Sequence, residues 1–257
     1  MIKKRVIGVV TVKDGWAVQS FGYDRYLPLG TPEVLIENLD RWGADEIILQ
    51  CIDRSAHHDG PDLKLLERVS RKGLSTPLIY AGGIRTAEHA VAAVKSGADR
   101  ICVDALLHDA PEILEALSAP LGAQAVIASL PLSRSPDGLM WLDYQTRQQQ
   151  VLSVQVLNAL RSGVVSEALI IDWRNEGRAG QFDIGLLSDF PLPDIPLIAF
   201  GGLSAPSQLR EVLQLKQVAA VAIGNFLNYH EHAIHHYKRH LAGLPVRPAA
   251  TEQSSLP

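Results

Sequence analysis

Apolar residues fall along the chain in short, β-branched runs, separated by stretches with helical spacing. The runs are Arg5–Val12, Glu46–Ile52, Pro77–Ala81, Arg100–Asp104, Ala125–Leu130, Ala168–Asp172, Pro196–Phe200 and Val218–Ile223. They are nearly continuous rather than alternating, as strands are when a parallel sheet is buried on both faces. The intervening pattern predicts helices over Pro32–Trp42, Leu63–Arg71, Ala87–Lys95, Pro111–Leu117, Gln148–Arg161, Pro206–Leu213 and Glu231–Leu241. Thr31 before Pro32 and Thr86 before Ala87 are residues of the N-cap type. The sixth helix is poorly marked, near Gly185–Ser188. Eight strands with helical crossovers favour a closed (β/α)8 TIM barrel over a doubly wound sheet.

A repeat sharpens this reading. Tyr80-Ala81-Gly82-Gly83-Ile84 returns as Ala199-Phe200-Gly201-Gly202-Leu203, each copy ending a strand and preceding a helix. Ala44-Asp45-Glu46 before the second strand echoes Val165-Ser166-Glu167 before the sixth. The copies lie half a barrel apart, so the α/β chain reads as a single barrel of two repeated half-barrels over residues 1–242. Residues 243–257, rich in Pro and small or polar side chains, read as a flexible C-terminal tail.

Composition narrows the class. Of 257 residues, 47% are hydrophobic, enough for a large core, and the net charge of −4 points to no nucleic-acid partner. The basic opening and the run Val6–Val12 resemble a signal peptide, but Lys13-Asp14 interrupts it without a small-residue cleavage site. No run reaches the roughly 20 apolar residues that cross a bilayer. Cys51 and Cys102 make no disulfide framework. A cytoplasmic protein without membrane contact is expected, and no motif calls for a cofactor.

In such a barrel, functional groups sit on the loops after the strands, where both Gly-Gly turns lie. Glycine lets backbone amides approach an anion without a Cβ in the way, so Gly82, Gly83, Gly201 and Gly202 are candidate phosphate contacts. The plainer account is that they only make tight turns. Cys51 with His57 and His58 could form a Cys–His nucleophile, though a buried strand cysteine beside solvated histidines explains them as well. His232, His236 and His240 share one helix face, but no carboxylate or Cys spacing supports a metal site, and none is assigned. Asp53 could hold a substrate hydroxyl or merely start its loop; Trp42 and Trp173 are expected to pack between helices and barrel.

Longer blocks carry a family likeness. Lys4-Arg5-Val6-Ile7, Val12-Lys13-Asp14-Gly15, Gly43-Ala44-Asp45-Glu46, Ala81-Gly82-Gly83-Ile84, Gly97-Ala98-Asp99-Arg100 and Gly122-Ala123-Gln124-Ala125-Val126 resemble the cyclase subunit (HisF) of imidazole glycerol phosphate synthase. That resemblance implies a barrel that takes ammonia from a glutaminase (HisH-like) partner and uses it on a bis-phosphorylated substrate, with two aspartates as general acid and base. Those two positions are Thr11 and Pro131 here, and neither side chain ionises near neutral pH. The resemblance extends the anion-binding set to Gly177, Gly224 and Asn225. Its phosphate loops have changed: Glu176-Gly177-Arg178 and Asp104-Ala105 replace the expected residues, and acids there should repel phosphate. Arg5, Glu46, Arg100 and Glu167, each opening a strand, match the family's charged ring that gates ammonia, and Asp99 matches a residue that contacts the glutaminase.

Val18-Gln19-Ser20-Phe21-Gly22, Arg25-Tyr26-Leu27-Pro28, Arg41-Trp42-Gly43 and Gly224-Asn225-Phe226 resemble the divergent homologues of surface-polysaccharide biosynthesis, which serve a sugar amidotransferase. The leading expectation is therefore an ammonia-passing barrel for surface-sugar modification, without standard cyclase activity. The alternatives are a working cyclase in histidine biosynthesis with Asp14 or Asp53 as stand-in acids, a stand-alone aminoaldose isomerase, and a non-catalytic platform that activates a glutaminase.

Overall fold

In the computed structural model, which describes residues 3–248, every apolar run is a strand. The strands are β1 Arg5–Lys13, β2 Trp16–Phe21, β3 Arg25–Gly30, β4 Glu46–Cys51, β5 Leu78–Ala81, β6 Arg100–Val103, β7 Val126–Ser135, β8 Gly138–Leu142, β9 Gln149–Val151, β10 Glu167–Asp172, β11 Leu197–Phe200 and β12 Val218–Ile223. Eight of them, β1, β4, β5, β6, β7, β10, β11 and β12, pair in parallel, and β7 pairs with β10 to close a (β/α)8 barrel. Alternation divides each strand between two cores. Val6, Val10 and Val12 face the helices, while Ile7 and Val9 join Ile48, Ile79, Ile127, Leu169 and Ile198 inside the barrel.

Helices Pro32–Arg41, Leu63–Ser70, Ala87–Lys95, Ile113–Leu121, Val154–Arg161, Pro206–Gln214 and Ala233–His240 lie near their expected places, and the sixth is a single turn, Gly185–Ser188. Thr86 caps its helix through the His89 amide at 3.2 Å, whereas the Thr31 hydroxyl caps nothing. The helix expected from Gln148 starts later. Ser153 accepts the Val156 amide and sets the first turn, while Gln149–Val151 pairs with β8 as a strand.

Two hairpins extend the barrel. β2 and β3 fold back from β1, and β8 and β9 fold back from β7. β1 and β7 are the first and fifth barrel strands, so the hairpins follow the half-barrel spacing. The first turn is Asp14-Gly15, both at positive φ and suited to tight hairpins; the second is Pro136-Asp137, closed by the pairing of Ser135 with Gly138. The first and last stretches of the described chain meet at the other pole. Lys238 donates to Asp45 at 2.7 Å and to the Gly43 carbonyl at 2.8 Å, and Asp45 also accepts the Val6 amide, so the last helix is ion-paired to the strand starts. Of the expected tail, Val246 bridges to Lys4 beside β1, and residues 249–257 lie outside the described residues. Among the described residues, no helix is long and apolar enough to cross a membrane.

Candidate functional site

The first candidate cluster lies at the floor, where the strands begin. Arg5 on β1, Glu46 on β4, Arg100 on β6 and Glu167 on β10 form one closed, alternating ring. Arg5 donates to Glu46 at 2.9 Å and to Glu167; Arg100 donates to Glu46 at 3.2 Å and to Glu167 at 2.6 Å. All four side chains are at most 14% exposed, so each charge needs the next one round the ring. Burial works against the Arg5 charge, but Glu167 and then Glu46 outweigh it, and the net pKa shift is upward. The Arg100 guanidinium also donates to Ser166 and to the Gln124 carbonyl. Beyond the ring the bore is apolar, lined by Ile7, Ile48, Ile79, Ile127 and Leu169. Asp99 is exposed beside this pole and accepts the Leu78 amide at 2.7 Å.

The mouth is built differently. A cavity of about 100 Å³ lies there, lined by Gln50, Cys102, Asp104, Ser129, Tyr144 and Arg147 among others. Tyr23 and Tyr144, one from each hairpin, meet above it edge to face at 5.5 Å. Tyr23 exchanges hydrogen bonds with the Gln50 amide at 3.2–3.3 Å. Arg147 of the second hairpin donates to the Tyr23 and Gly22 carbonyls of the first, at 3.0 and 3.3 Å. Tyr23 has φ 52°, a left-handed conformation costly for a side chain of this size. The surrounding contacts hold it there.

Alternation puts Thr11 and Pro131 on the same inner face as Val9 and Ser129, both buried near the strand ends. Pro131 lies past the last β6 pairing, Val103 with Ala128, where a missing N–H is tolerated. The proposed stand-ins are committed elsewhere. Asp14 is at an exposed hairpin tip, and the Asp53 carboxylate accepts its amide at 2.8 Å.

Glu176 does not sit as a bare charge in an anion loop, as expected from the sequence. Its buried carboxyl accepts the Ser20 hydroxyl at 2.9 Å and the Tyr23 amide at 3.4 Å, pinning the first hairpin. Burial, only partly offset by these donors, pushes it up to about 7. Asn225 is used in the same way: its amide donates to the Ser20 carbonyl at 2.6 Å and accepts the Ser20 N–H at 3.2 Å. Sequence reasoning did not connect Ser20 with either residue, because the partners are 156 and 205 positions apart.

All the candidate glycines but Gly224 have packing reasons. A Cβ at Gly82 would stand 2.3 Å from the Cys51 carbonyl, and one at Gly83 2.5 Å from the Asp59 carbonyl. At Gly177 it would meet the Ser20 carbonyl at 2.4 Å, at Gly201 the Asp172 carbonyl at 2.5 Å, and at Gly202 the Asn175 carbonyl at 2.9 Å. Gly224 is looser, its nearest neighbour being the Phe200 ring at 3.4 Å. The Gly83 amide already donates to Ser55 Oγ at 3.1 Å.

The remaining candidates disperse. Burial pushes the Cys51 and Cys102 thiols up to about 12, which removes them as thiolates, and His57 and His58 are exposed. His232 stacks with His235, and His236 leans on His240. Among the described residues no group of three or more His, Cys, Asp or Glu is placed to hold a metal ion.

The sequence profile described as Histidine biosynthesis protein matches residues 5–234. Imidazole glycerol phosphate synthase subunit HisF of Thermococcus gammatolerans is 30% identical over 254 residues, 96% of this chain and 99% of that protein. The HisF subunit of Pyrococcus furiosus is 27% identical, again over 96% and 99% of the two chains. A Vibrio vulnificus protein that carries the subunit's name provisionally is 29% identical over 91% of this chain and 86% of its own.

Proposed function

Because the chain belongs to the histidine biosynthesis protein family, we propose that it is the barrel subunit of a two-part glutamine-dependent system, receiving ammonia from a glutaminase at its floor. The observation that carries this is the closed ring of Arg5, Glu46, Arg100 and Glu167 across the bore. A ring that neutralises itself presents no net charge to a small neutral molecule, and the apolar bore above it would hold ammonia unprotonated. The floor residues around exposed Asp99 form the docking face for the glutaminase.

At the mouth, Thr11 and Pro131 offer no titrating pair, so the ammonia is used without paired-aspartate cyclase chemistry. We assign the acceptor to surface-sugar modification, by way of a sugar amidotransferase, on the blocks around Val18–Gly22 and Arg25–Pro28. A second reading, the cyclase subunit of imidazole glycerol phosphate synthase in histidine biosynthesis, is favoured by the matches to HisF subunits over nearly the whole chain.

The test mixes the barrel with a HisH-type glutaminase and follows association and glutamine turnover. Association with stimulated turnover is expected, weakened by Asp99→Arg, and Glu167→Ala should uncouple hydrolysis from use of the ammonia. If the two proteins neither associate nor stimulate turnover, the channel reading fails.

A further inference from the structure

We propose that the glutaminase sits on the floor in one rotational register, set by an acidic segment of that partner lying in a basic groove lined by Lys3, Lys216 and Arg247, across the bore from Asp99. The inference rests on reading the floor as the face where a glutaminase docks. The groove has a volume of about 880 Å³ and shares Arg5, Arg100 and Glu167 with the ring, so a segment that fills it lies against the ammonia entrance. Those three side chains are committed to the ring's ion pairs. The Lys4 ammonium donates to the Leu215 and Val218 carbonyls, at 2.7 and 2.6 Å. Lys3, Lys216 and Arg247 are exposed, and against them the groove wall sets one further carboxylate, Asp194. The Arg247 amide donates to the Lys4 carbonyl at 3.2 Å, which keeps Arg247 beside the start of the chain. Pro193, Pro196 and Ala219 supply an apolar wall, so the groove suits an acidic segment with an apolar side chain among its carboxylates.

The ring alone leaves a partner two seatings. Glu46 opens the second barrel strand and Glu167 the sixth, half a barrel apart. A half turn about the barrel axis exchanges them and leaves the alternation of sign round the ring unchanged. The residues just ahead of the strands break that equivalence. Asp99 precedes β6, the fourth barrel strand; Lys216 precedes β12, the eighth, and Lys3 precedes β1, which pairs with β12. Acid and bases thus stand on opposite sides of the bore. Asp45, also ahead of a strand, is already paired with Lys238. A partner with a cation over Asp99 and carboxylates over the groove is complementary in one seating. In the other, like charges face each other on both sides, which disfavours that seating and slows its formation.

The test is the rate of association of the barrel with the HisH-type glutaminase, followed at low and at high salt, together with glutamine turnover. Lys3→Glu with Lys216→Glu should slow association roughly tenfold at low salt, with an unchanged circular dichroism spectrum, and the deficit should shrink at high salt. Asp99→Arg alone should slow it in the same way. Combining all three substitutions exchanges the signs of the two sides and favours the turned seating. That triple variant should associate faster than the Lys3→Glu, Lys216→Glu variant, yet stimulate glutamine turnover less than the parent. Association indifferent to Lys3→Glu with Lys216→Glu, or a triple variant slower than both others, would overturn this inference and leave the floor reading standing. Absence of any association by the parent would overturn the floor reading, and the register with it.

Discussion

The two ends of this barrel bury charge by opposite means. At the floor, two arginines and two glutamates compensate one another, and the Arg5 pKa rises because its neighbours favour the cation. At the mouth, buried Glu176 and half-buried Asp104 accept from hydroxyls and amides, and both are pushed upward by desolvation. Burial thus has opposite outcomes: the Arg5 cation is favoured by its neighbours, while the Glu176 carboxylate is disfavoured. A self-neutral ring is suited to passing something uncharged. A pole whose acids titrate nearer neutrality is suited to binding and chemistry.

The contrast can be broken most severely by activity. With saturating ammonium, which bypasses any glutaminase, the protein should turn over the bis-phosphorylated cyclase substrate more slowly than an intact cyclase by on the order of 10²–10⁴-fold for each absent acid or base. Thr11→Asp with Pro131→Asp should restore little, since Asp104 still opposes phosphate. Turnover within tenfold of a cyclase, measured by product absorbance, would make the mouth an ordinary active site.

Next in size is the floor. Glu167→Ala leaves two buried guanidiniums short of a partner and should cost about 3–5 kcal/mol of stability in urea unfolding, with the fold retained in water. A loss below about 1 kcal/mol would mean that the ring is solvated in the manner of surface pairs.

The mouth should respond to pH instead. The folded Glu176 pKa, about 7, lies above the ordinary carboxylate value, so the folded state holds this proton more tightly than the unfolded chain. Its contribution is complete below about pH 4.5 and is lost as pH rises toward 7, a change of about 3 kcal/mol. Glu176→Gln should therefore match the parent near pH 4.5 and exceed its melting temperature at pH 8. Identical pH profiles for the two proteins would refute the assignment. The smallest effect is Tyr23→Phe, which removes the bond to Gln50 and should cost about 1 kcal/mol by thermal unfolding.

The barrel strands were legible because each is buried on both faces and reads as an unbroken apolar run. The floor ring was legible for a related reason: Arg5, Glu46, Arg100 and Glu167 each interrupt that pattern at the first residue of a strand. The hairpins were not read, although Asp14-Gly15 and Asp137-Gly138 carry a recognised turn signal. Their outer strands, such as Gln149–Val151, are exposed and polar, so helical spacing over Gln148–Arg161 outweighed the turn. The mouth was least legible. The tasks of Glu176 and Asn225 depend on Ser20, which only the closure of the barrel brings near them. Residue type alone made Glu176 a stray charge in a phosphate loop; its partners make it a hairpin anchor.

The buried pair of Lys238 and Asp45 bears on how the chain is made. Asp45 emerges from the ribosome early, and Lys238 emerges nearly two hundred residues later, 193 positions along. Until then the acid just before β4 lacks the cation it joins in the folded chain. The pair can form only after Lys238 has been made. A chain cut before Lys238 would carry every barrel strand yet lack this clasp.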